Sequence, residues 1–255
     1  MDVKVWNKRF YYENSILNWN CPRCNSKSLE ILKDELIIKE TQDSLEMQAK
    51  TDYWETEWSI LNVSGQIQCR SCQESLMFIG KGSYEENQYF DHEIEDCVTD
   101  YNLLITFLFI HPIVNIFNIP SSCPSLVRDK IVESFTVYWS DLESCANKIR
   151  ISLEYLMDAF KVKKTLITKK GTRDSITLHK RIELFPNKEV RELLLAIKWI
   201  GNVGSHSKTK LEILDILETY KVYENVLEKL YANEGKLIYR IAQQINKRKR
   251  VRKRT

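Results

Sequence analysis

The sequence predicts an α+β protein in which a β-rich N-terminal part precedes an all-α helical bundle. In the N-terminal part, short apolar segments rich in aromatic and β-branched residues alternate with turn residues, which is typical of strands. From Pro124 onward, apolar residues recur at helical spacing. The chain has 7 glycines and 5 prolines among 255 residues, which favours long regular elements over loops.

The N-terminal domain, assigned to residues 1–82, is predicted to consist of short strands. Residues 83–123 contain a Pro-bounded apolar stretch and are predicted to form an extended connector along the helical part. Strands are expected at Leu29 to Ile31, Leu36 to Ile38, Tyr53 to Leu61, Ile67 to Cys69 and Leu76 to Gly80, with a polar loop or solvated hairpin end over residues 40–52.

The C-terminal part is predicted to be a bundle of amphipathic helices over residues 124–246. Pro124 suits the first turn of its first helix, and apolar residues then follow at steps of three and four. Lys163 to Thr177 is predicted to be a basic loop, and residues 247–255 a disordered basic tail. A second helix is expected to end at about Phe160, and a last helix is expected to begin at about Glu234. Between them, helices are expected over Leu178 to Phe185, Lys188 to Ile200 and Leu211 to Tyr231.

The net charge of +3 conceals an uneven distribution of charge along the chain. Residues 1–96 carry 10 Lys and Arg against 18 Asp and Glu, whereas residues 247–255 carry seven cations and no anion. Such a run neutralises several phosphates, so the tail predicts salt-sensitive, sequence-independent binding of nucleic acid. The alternatives are that the tail only increases solubility or that it binds an acidic protein partner.

The start of the sequence and its longest apolar run argue against secretion and membrane insertion. Met1 opens directly into charged and aromatic residues, without the pattern of a signal peptide. The run Leu103 to Ile110 is far shorter than the roughly 20 residues that a membrane helix needs. We therefore expect a cytoplasmic protein with no membrane partner, whose cysteines are thiols or metal ligands.

Two CxxC pairs, Cys21 with Cys24 and Cys69 with Cys72, predict a zinc ribbon. Thiolates two residues apart wrap one side of a tetrahedral ion, and two such pairs close a four-thiolate shell. A closed shell leaves no open coordination position, so the predicted Zn²⁺ is structural. Free thiols or redox pairs are the alternative, although the surrounding sequence lacks the βαβ context of a redox motif. The three unpaired cysteines are predicted to be core residues rather than ligands: Cys97, Cys123 and Cys145.

Five polar residues share one face of the second predicted helix, because they recur at spacings of three and four. Such a face with alternating charges is ordinarily just solvated, and an ion pair that sets helix packing is a second structural explanation. A functional explanation is that its arginine supplies positive charge to a site on the facing helix. The five residues are Glu143, Asn147, Arg150, Glu154 and Asp158.

The run from Lys198 to His206 is the most informative segment of the helical part. Gly201 to Lys208 is predicted to be a Gly-rich turn, whose bare backbone N–H groups suit an oxyanion or phosphate, as do the side chains of Asn202 and His206. The alternatives are a histidine that bridges helices and an asparagine in a left-handed turn. His179, on the short helix, is expected to be a surface or cap residue.

These motifs resemble the bacterial family catalogued as domain of unknown function DUF4145, over residues 120–232. Members of that family often carry a zinc ribbon in front of the helical domain, as the two CxxC pairs suggest here. The family is similar to the HEPN superfamily of helical bundles, many of which are metal-independent RNases, often dimeric, of toxin–antitoxin, restriction and anti-phage systems. The resemblance is carried by Pro124 to Val127, Glu133 to Phe135, Asn147 to Arg150 with Glu154, Leu178 to Ile182 and Ala196 to His206.

The resemblance implies a catalytic site. HEPN RNases combine an arginine, a polar residue and a histidine, and His206 and Asn202 correspond to the last two. Gly201 stands where the arginine is expected, so that Arg150 or Lys198 would supply the positive charge. His206 would act as general acid or base in the attack of a 2′-OH on the adjacent phosphate, whose charge the cations and Asn202 would stabilise. The candidate set is completed by two residues on the helix of Arg150, Glu154 and Asn147.

The sequence therefore favours a nucleic-acid-directed effector or accessory protein of a bacterial defence or toxin system, with metal-independent endoribonuclease activity as one form of that function. RNA is expected ahead of DNA, bound through the basic tail and the helical domain. The resemblance also implies a homodimer and a protein partner within a defence system. The alternatives are a non-catalytic adaptor that docks nucleic acid or a protein, and a binder of nucleotides at the Gly-rich turn.

Overall fold

The computed structural model describes an α+β protein with a curled N-terminal β-sheet and a helical C-terminal region, which confirms the predicted fold class at this level. For residues 204–206 the description is confined to the backbone. The described ranges are 1–92, 95–167, 173–206, 210–231 and 242–247.

Seven strands form one antiparallel sheet. Their order is β1-β7-β6-β5-β3-β2, and β4 also pairs with β5. Along β5 buried residues alternate with less buried ones, so one face of the sheet packs into the core. The strands are β1 (Tyr11–Tyr12), β2 (Ile16–Leu17), β3 (Leu29–Ile31), β4 (Ile37–Glu40), β5 (Leu61–Cys69), β6 (Ser75–Asp91) and β7 (Asp96–His111).

Two short helices belong to the N-terminal domain, α1 (Val3–Trp6) and α2 (Gln42–Lys50). Helix α2 corrects the prediction of a polar loop over residues 40–52. It begins where the Thr41 side chain accepts a hydrogen bond from the backbone N–H of Ser44, which is an N-cap. The polar composition that indicated a loop thus reflects a solvated helix.

The predicted strand from Tyr53 to Leu61 is wrong for most of its length. A 3₁₀ turn occupies Thr56–Trp58, and β5 begins only at Leu61. The aromatic rings of Trp54 and Trp58 contact each other edge to face at 5.8 Å. Aromatic residues suggested a strand here, but they pack across a turn instead.

The predicted domain boundary at residue 82 falls inside β6. Strands β6 and β7 pair continuously from Met77 with His111 to Asp91 with Asp96, apart from one bulge. Residues 83–91 and 96–111 are extended, as expected, but they belong to the sheet and not to a connector. The mixed polar sequence beyond residue 83 hides the pairing, because most side chains of this part of the hairpin are exposed.

Within the described part of the C-terminal region, the helices from residue 125 to residue 231 lie close to their predicted positions. Helix α4 packs against α3 and α6, and α6 packs against α7. Residues 242–247 are helical, whereas 248–255, most of the predicted tail, lie outside the described residues. The helices are α3 (Ser125–Val137), α4 (Leu142–Ala159), α5 (Leu178–Glu183), α6 (Lys188–His206) and α7 (Ile213–Tyr231).

Two connections differ from the prediction. Helix α6 continues to His206, whereas the sequence predicted a turn from Gly201. The predicted basic loop contains a two-stranded sheet of β8 (Thr165–Ile167) and β9 (Arg173–Ser175), and its residues 168–172 lie outside the description. Both differences concern glycine-containing segments, in which the sequence alone indicated irregular structure.

A cluster of aromatic side chains joins the sheet to the helices. The ring of Trp19 stacks on Trp6 at 5.2 Å and contacts Phe107 of β7 at 5.5 Å and Trp139, between α3 and α4, at 5.1 Å. The Tyr138 hydroxyl donates a buried hydrogen bond of 2.8 Å to the Trp6 carbonyl. The two regions therefore share one apolar core.

The three unpaired cysteines divide between core and surface. Cys123 and Cys145 are buried, as predicted, and the Cys145 sulfur lies 3.0 Å from the Tyr220 hydroxyl. Cys97 is exposed, which corrects the prediction that it is a core residue. It lies near the end of the β6–β7 hairpin, beyond the part of the sheet that packs into the core.

Among the described residues, no helix combines the length and apolar character that crossing a membrane requires.

Replacement of Trp19 by alanine should destabilise the protein by about 3–5 kcal/mol, because only 1 % of this residue is exposed and its removal leaves a cavity in the shared core. Trp58→Ala is the matched control, since this tryptophan is 47 % exposed. Urea unfolding of both variants measures the difference. Equal losses of unfolding free energy in the two variants would show that the junction does not depend on Trp19.

Candidate metal centre and candidate anion site

The four predicted cysteine ligands come together. The sulfurs of Cys21, Cys24, Cys69 and Cys72 all lie within 4.8 Å of one another, a geometry that could bind a metal ion. The Sγ atoms of Cys21 and Cys72 are 3.7 Å apart, and those of Cys24 and Cys69 are 3.6 Å apart. These distances are too long for disulfide bonds, for which S–S is about 2.05 Å.

The two CxxC pairs form matching backbone turns. The N–H of Asn25 donates to the Cys21 carbonyl, and the N–H of Gln73 donates to the Cys69 carbonyl, both at 2.9 Å. Asn25 and Gln73 both have φ of 61°, the left-handed conformation that closes each turn. The two halves of the site are thus related by similar local geometry.

Strand pairing places the two turns at the same end of the sheet. The first turn connects β2 to β3, and the second connects β5 to β6. Because β3 and β5 are antiparallel neighbours with Leu29 opposite Cys69, both turns project from the same end of the strands. The long insertion between the pairs, which contains β4 and α2, leaves this arrangement intact.

Two serine hydroxyls contact the sulfurs. Ser26 Oγ lies 3.0 Å from Cys24 Sγ and 3.3 Å from Cys69 Sγ, and Ser28 Oγ lies 3.4 Å from Cys69 Sγ. Burial raises the pKa of Cys69, but hydrogen bonds from these hydroxyls and from backbone N–H groups outweigh it and lower the pKa to about 5. Neither serine was identified from the sequence, although each lies within four residues of Cys24.

The second candidate site lies where α6 crosses α4. A Cβ added to Gly201 would lie 2.7 Å from the Cβ of Arg150 and 3.2 Å from the carbonyl oxygen of Ala146. The helices therefore approach more closely than any side chain at position 201 would permit. This contact brings the backbone of Gly201 against that of Arg150, and Lys198 and Asn202 lie within one turn of Gly201 on α6.

Lys198 is a buried cation. Only 7 % of its surface is exposed, and its Nζ lies 3.5 Å from the centroid of the neighbouring Trp199 ring. Burial, and secondly the positive charge of Arg150, lower the pKa of the Lys198 ammonium. No carboxylate of the described residues forms an ion pair with it. The site thus holds a partly desolvated positive charge near a second cation.

Arg150 is only partly neutralised. Its guanidinium lies 3.3 Å from Glu154 one turn along α4, and both side chains are partly exposed. Asn147 and Asn202 are half-buried. Taken together, Arg150, Lys198 and Glu154 carry one net positive charge.

The other members of the polar stripe on α4 take different roles. Asp158 accepts hydrogen bonds from the buried Arg181 at 2.6 Å and from Lys164 at 2.7 Å, so it ties α5 and the β8 strand to α4. Glu143, at the other end of α4, is exposed. The polar face of α4 therefore contains both residues that tie elements together and residues of the candidate site.

His206 is the last residue of α6, and its side chain lies outside the described residues. Because α6 is continuous, the backbone positions 198, 202 and 206 are four residues apart and share one face of the helix. The predicted turn would not have aligned them.

Two aromatic side chains, one next to Lys198 and one in contact with the first, were not identified from the sequence as site residues. Trp199 is 56 % exposed, and the ring of His179, expected to be a surface or cap residue, lies 5.7 Å from it. Their contact joins α5 to α6. A large aromatic residue directly after Lys198 was the available signal.

Comparisons with known families assign both parts of the chain. Residues 9–109, which include all four clustered cysteines, match a domain of unknown function (DUF8608), and residues 132–254 match a domain of unknown function (DUF4145). A search of curated proteins and a search of solved structures each found no match. The second match confirms the resemblance inferred from the sequence, so the C-terminal region carries a DUF4145 domain and the N-terminal region carries a separate DUF8608 domain.

Proposed function

We propose that the cysteine cluster binds Zn²⁺ and that the N-terminal domain is a zinc ribbon. Zinc–sulfur bonds of about 2.3 Å in a tetrahedron place the sulfurs about 3.8 Å apart. This is close to the 3.7 Å between the sulfurs of Cys21 and Cys72 and the 3.6 Å between those of Cys24 and Cys69. Four thiolates so close together repel one another unless a cation lies between them. Since four protein ligands fill the shell, the ion stabilises the two turns and takes no part in catalysis.

Cys69→Ser should release the ion and lower the melting temperature, because a hydroxyl is a poor zinc ligand and the other three thiolates form an incomplete shell. Cys97→Ser is the matched control, as Cys97 is exposed and outside the cluster. Metal analysis by mass spectrometry should find one zinc per chain in the wild type and the control. Wild-type protein purified without zinc would contradict the assignment.

We propose that the helical domain binds RNA and that it does so by holding a phosphate between α4 and α6. The observation that carries this proposal is Lys198, a largely buried residue whose ammonium lies near Arg150 and has no carboxylate partner among the described residues. A desolvated cation is costly unless an anion approaches it. An RNA phosphate supplies such a charge, and the amides of Asn147 and Asn202 add hydrogen-bond donors.

The basic tail fits the same proposal. Residues 247–255 contain seven cations, which would bind the RNA backbone by counterion release without reading its sequence. The tail would thus supply general affinity, and the α4–α6 site would fix the position of one phosphate. In this proposal the domain is HEPN-like and serves a bacterial defence or toxin system.

Lys198→Gln should weaken the binding of single-stranded RNA about tenfold, as expected for loss of one charge-assisted contact, and should reduce the salt dependence of binding by about one ion. Lys188→Gln, an exposed lysine at the start of α6, is the control and should change affinity much less. Fluorescence anisotropy at several salt concentrations measures both quantities. Equal effects of the two variants would refute a dedicated phosphate site.

A second candidate function is RNA cleavage, favoured by the alignment of positions 198, 202 and 206 on one face of α6. In this reaction the 2′-OH loses its proton to a general base and attacks the adjacent phosphorus. The 5′-oxygen of the next nucleotide then leaves with a proton, and a 2′,3′-cyclic phosphate remains. His206 would exchange these protons, while Lys198 and Arg150 stabilise the phosphoryl charge.

Cleavage should proceed in EDTA, be abolished by His206→Ala and be unaffected by His92→Ala, which changes an exposed histidine of the β6–β7 hairpin. Gel analysis of end-labelled RNA and of its cyclic-phosphate ends measures the reaction. Cleavage that needs added Mg²⁺ would contradict the mechanism. If neither wild type nor variant cleaves RNA, the helical domain is a binding or adaptor module.

A further inference from the structure

Trp199 is the one tryptophan on α6, and it places an exposed aromatic surface directly beside the candidate phosphate site. It is 56 % exposed although it belongs to a helix that packs on both α4 and α7. The Lys198 ammonium lies 3.5 Å from its ring centroid, so the cation and the indole form a cation–π pair. A charge that binds phosphate and a ring that binds flat apolar groups therefore adjoin each other.

His179 of α5 extends this surface. Its ring is 5.7 Å from that of Trp199, with an angle of 50° between the planes. The Nδ1 atom of His179 is buried and has no hydrogen-bond partner among the described residues. Helix α5 thus supports the indole from the side, while more than half of Trp199 stays open to solvent.

We infer that Trp199 stacks on a nucleobase of single-stranded RNA whose phosphate lies at Lys198 and Arg150. The inference rests on the proposed phosphate site and names the class of its ligand. Every base has a π face, so stacking on an aromatic side chain binds single strands with little sequence preference. In a duplex the bases are already stacked on one another, and the indole has no base to bind.

The cation and the ring adjoin each other on α6. The ammonium that would contact the phosphate and the ring that would contact the base belong to consecutive residues of one helix. The same pairing of cations with exposed aromatic rings occurs in proteins that bind single strands without reading sequence. A second copy of the chain packed on Trp199 is the competing occupant, and it makes a different prediction about RNA.

The test compares three fluorescently labelled ligands: a 12-nucleotide oligouridylate, the same oligonucleotide with abasic spacers in place of its bases, and a duplex RNA of equal length. The full-length wild type should bind the oligouridylate about tenfold more tightly than the abasic strand, which corresponds to one stacked base. It should also prefer the oligouridylate to the duplex. Trp199→Ala should remove the first preference and leave affinity for the abasic strand unchanged.

Trp199→Phe should retain most of the preference for bases, because phenylalanine also stacks. Trp58→Ala, which changes a tryptophan of similar exposure in the N-terminal domain, should retain all of it. Equal affinity of wild type for the base-bearing and abasic strands would overturn the inference. So would a Trp199→Ala variant that weakens both strands equally and dissociates a dimer in sedimentation, since this result assigns the ring to a subunit interface.

Failure of the phosphate site gives a different result. If Lys198→Gln leaves the abasic strand bound as tightly as the wild type does, the proposed phosphate contact is wrong, whatever Trp199 contributes. If Lys198→Gln weakens the abasic strand but Trp199→Ala spares both ligands, the phosphate contact stands and the stacking inference fails.

Discussion

The contact of Gly201 with α4 is the constraint on which the candidate site depends. No side chain separates the two helices at this position, so Arg150 on α4 and Lys198 on α6 lie close enough for their charges to repel. Helix packing thus brings together two cations that would separate in a less tightly packed bundle. The apolar core below them holds this arrangement, because Ile149, Leu153, Leu194 and Ile197 are all buried.

The N-terminal domain packs on the helical region through a shared core. Its cysteine cluster joins two turns at one end of the sheet. The sheet packs on the helices through the aromatic cluster around Trp19. Because Trp19 lies two residues before Cys21, the proposed zinc ion and the shared core stabilise the same segment of chain. Loss of the proposed ion should therefore destabilise the junction with the helical domain as well as the two cysteine turns.

The sequence predicted the elements with strong local patterns and missed those that depend on packing. The cysteine pairs and the amphipathic helices were found because their spacing is set by a coordination shell and by the helix repeat. The course of α6 through Gly201 was missed, since glycine indicates a helix end unless a neighbouring helix needs the space. The burial of Lys198 and its contact with Trp199 follow from that same tertiary packing. The part of the β6–β7 hairpin beyond residue 83 is polar, so no apolar pattern predicts its pairing.

The most direct test of the account is the pKa of the Lys198 ammonium, measured by NMR of isotope-labelled lysine and assigned by comparison with Lys198→Arg. In the free protein this pKa should lie below that of an ordinary lysine, because burial and Arg150 both disfavour the charged form. Addition of single-stranded RNA should raise it, since a phosphate beside the ammonium favours the charged form. A pKa of ordinary value in the free protein, or one that RNA leaves unchanged, would contradict the account.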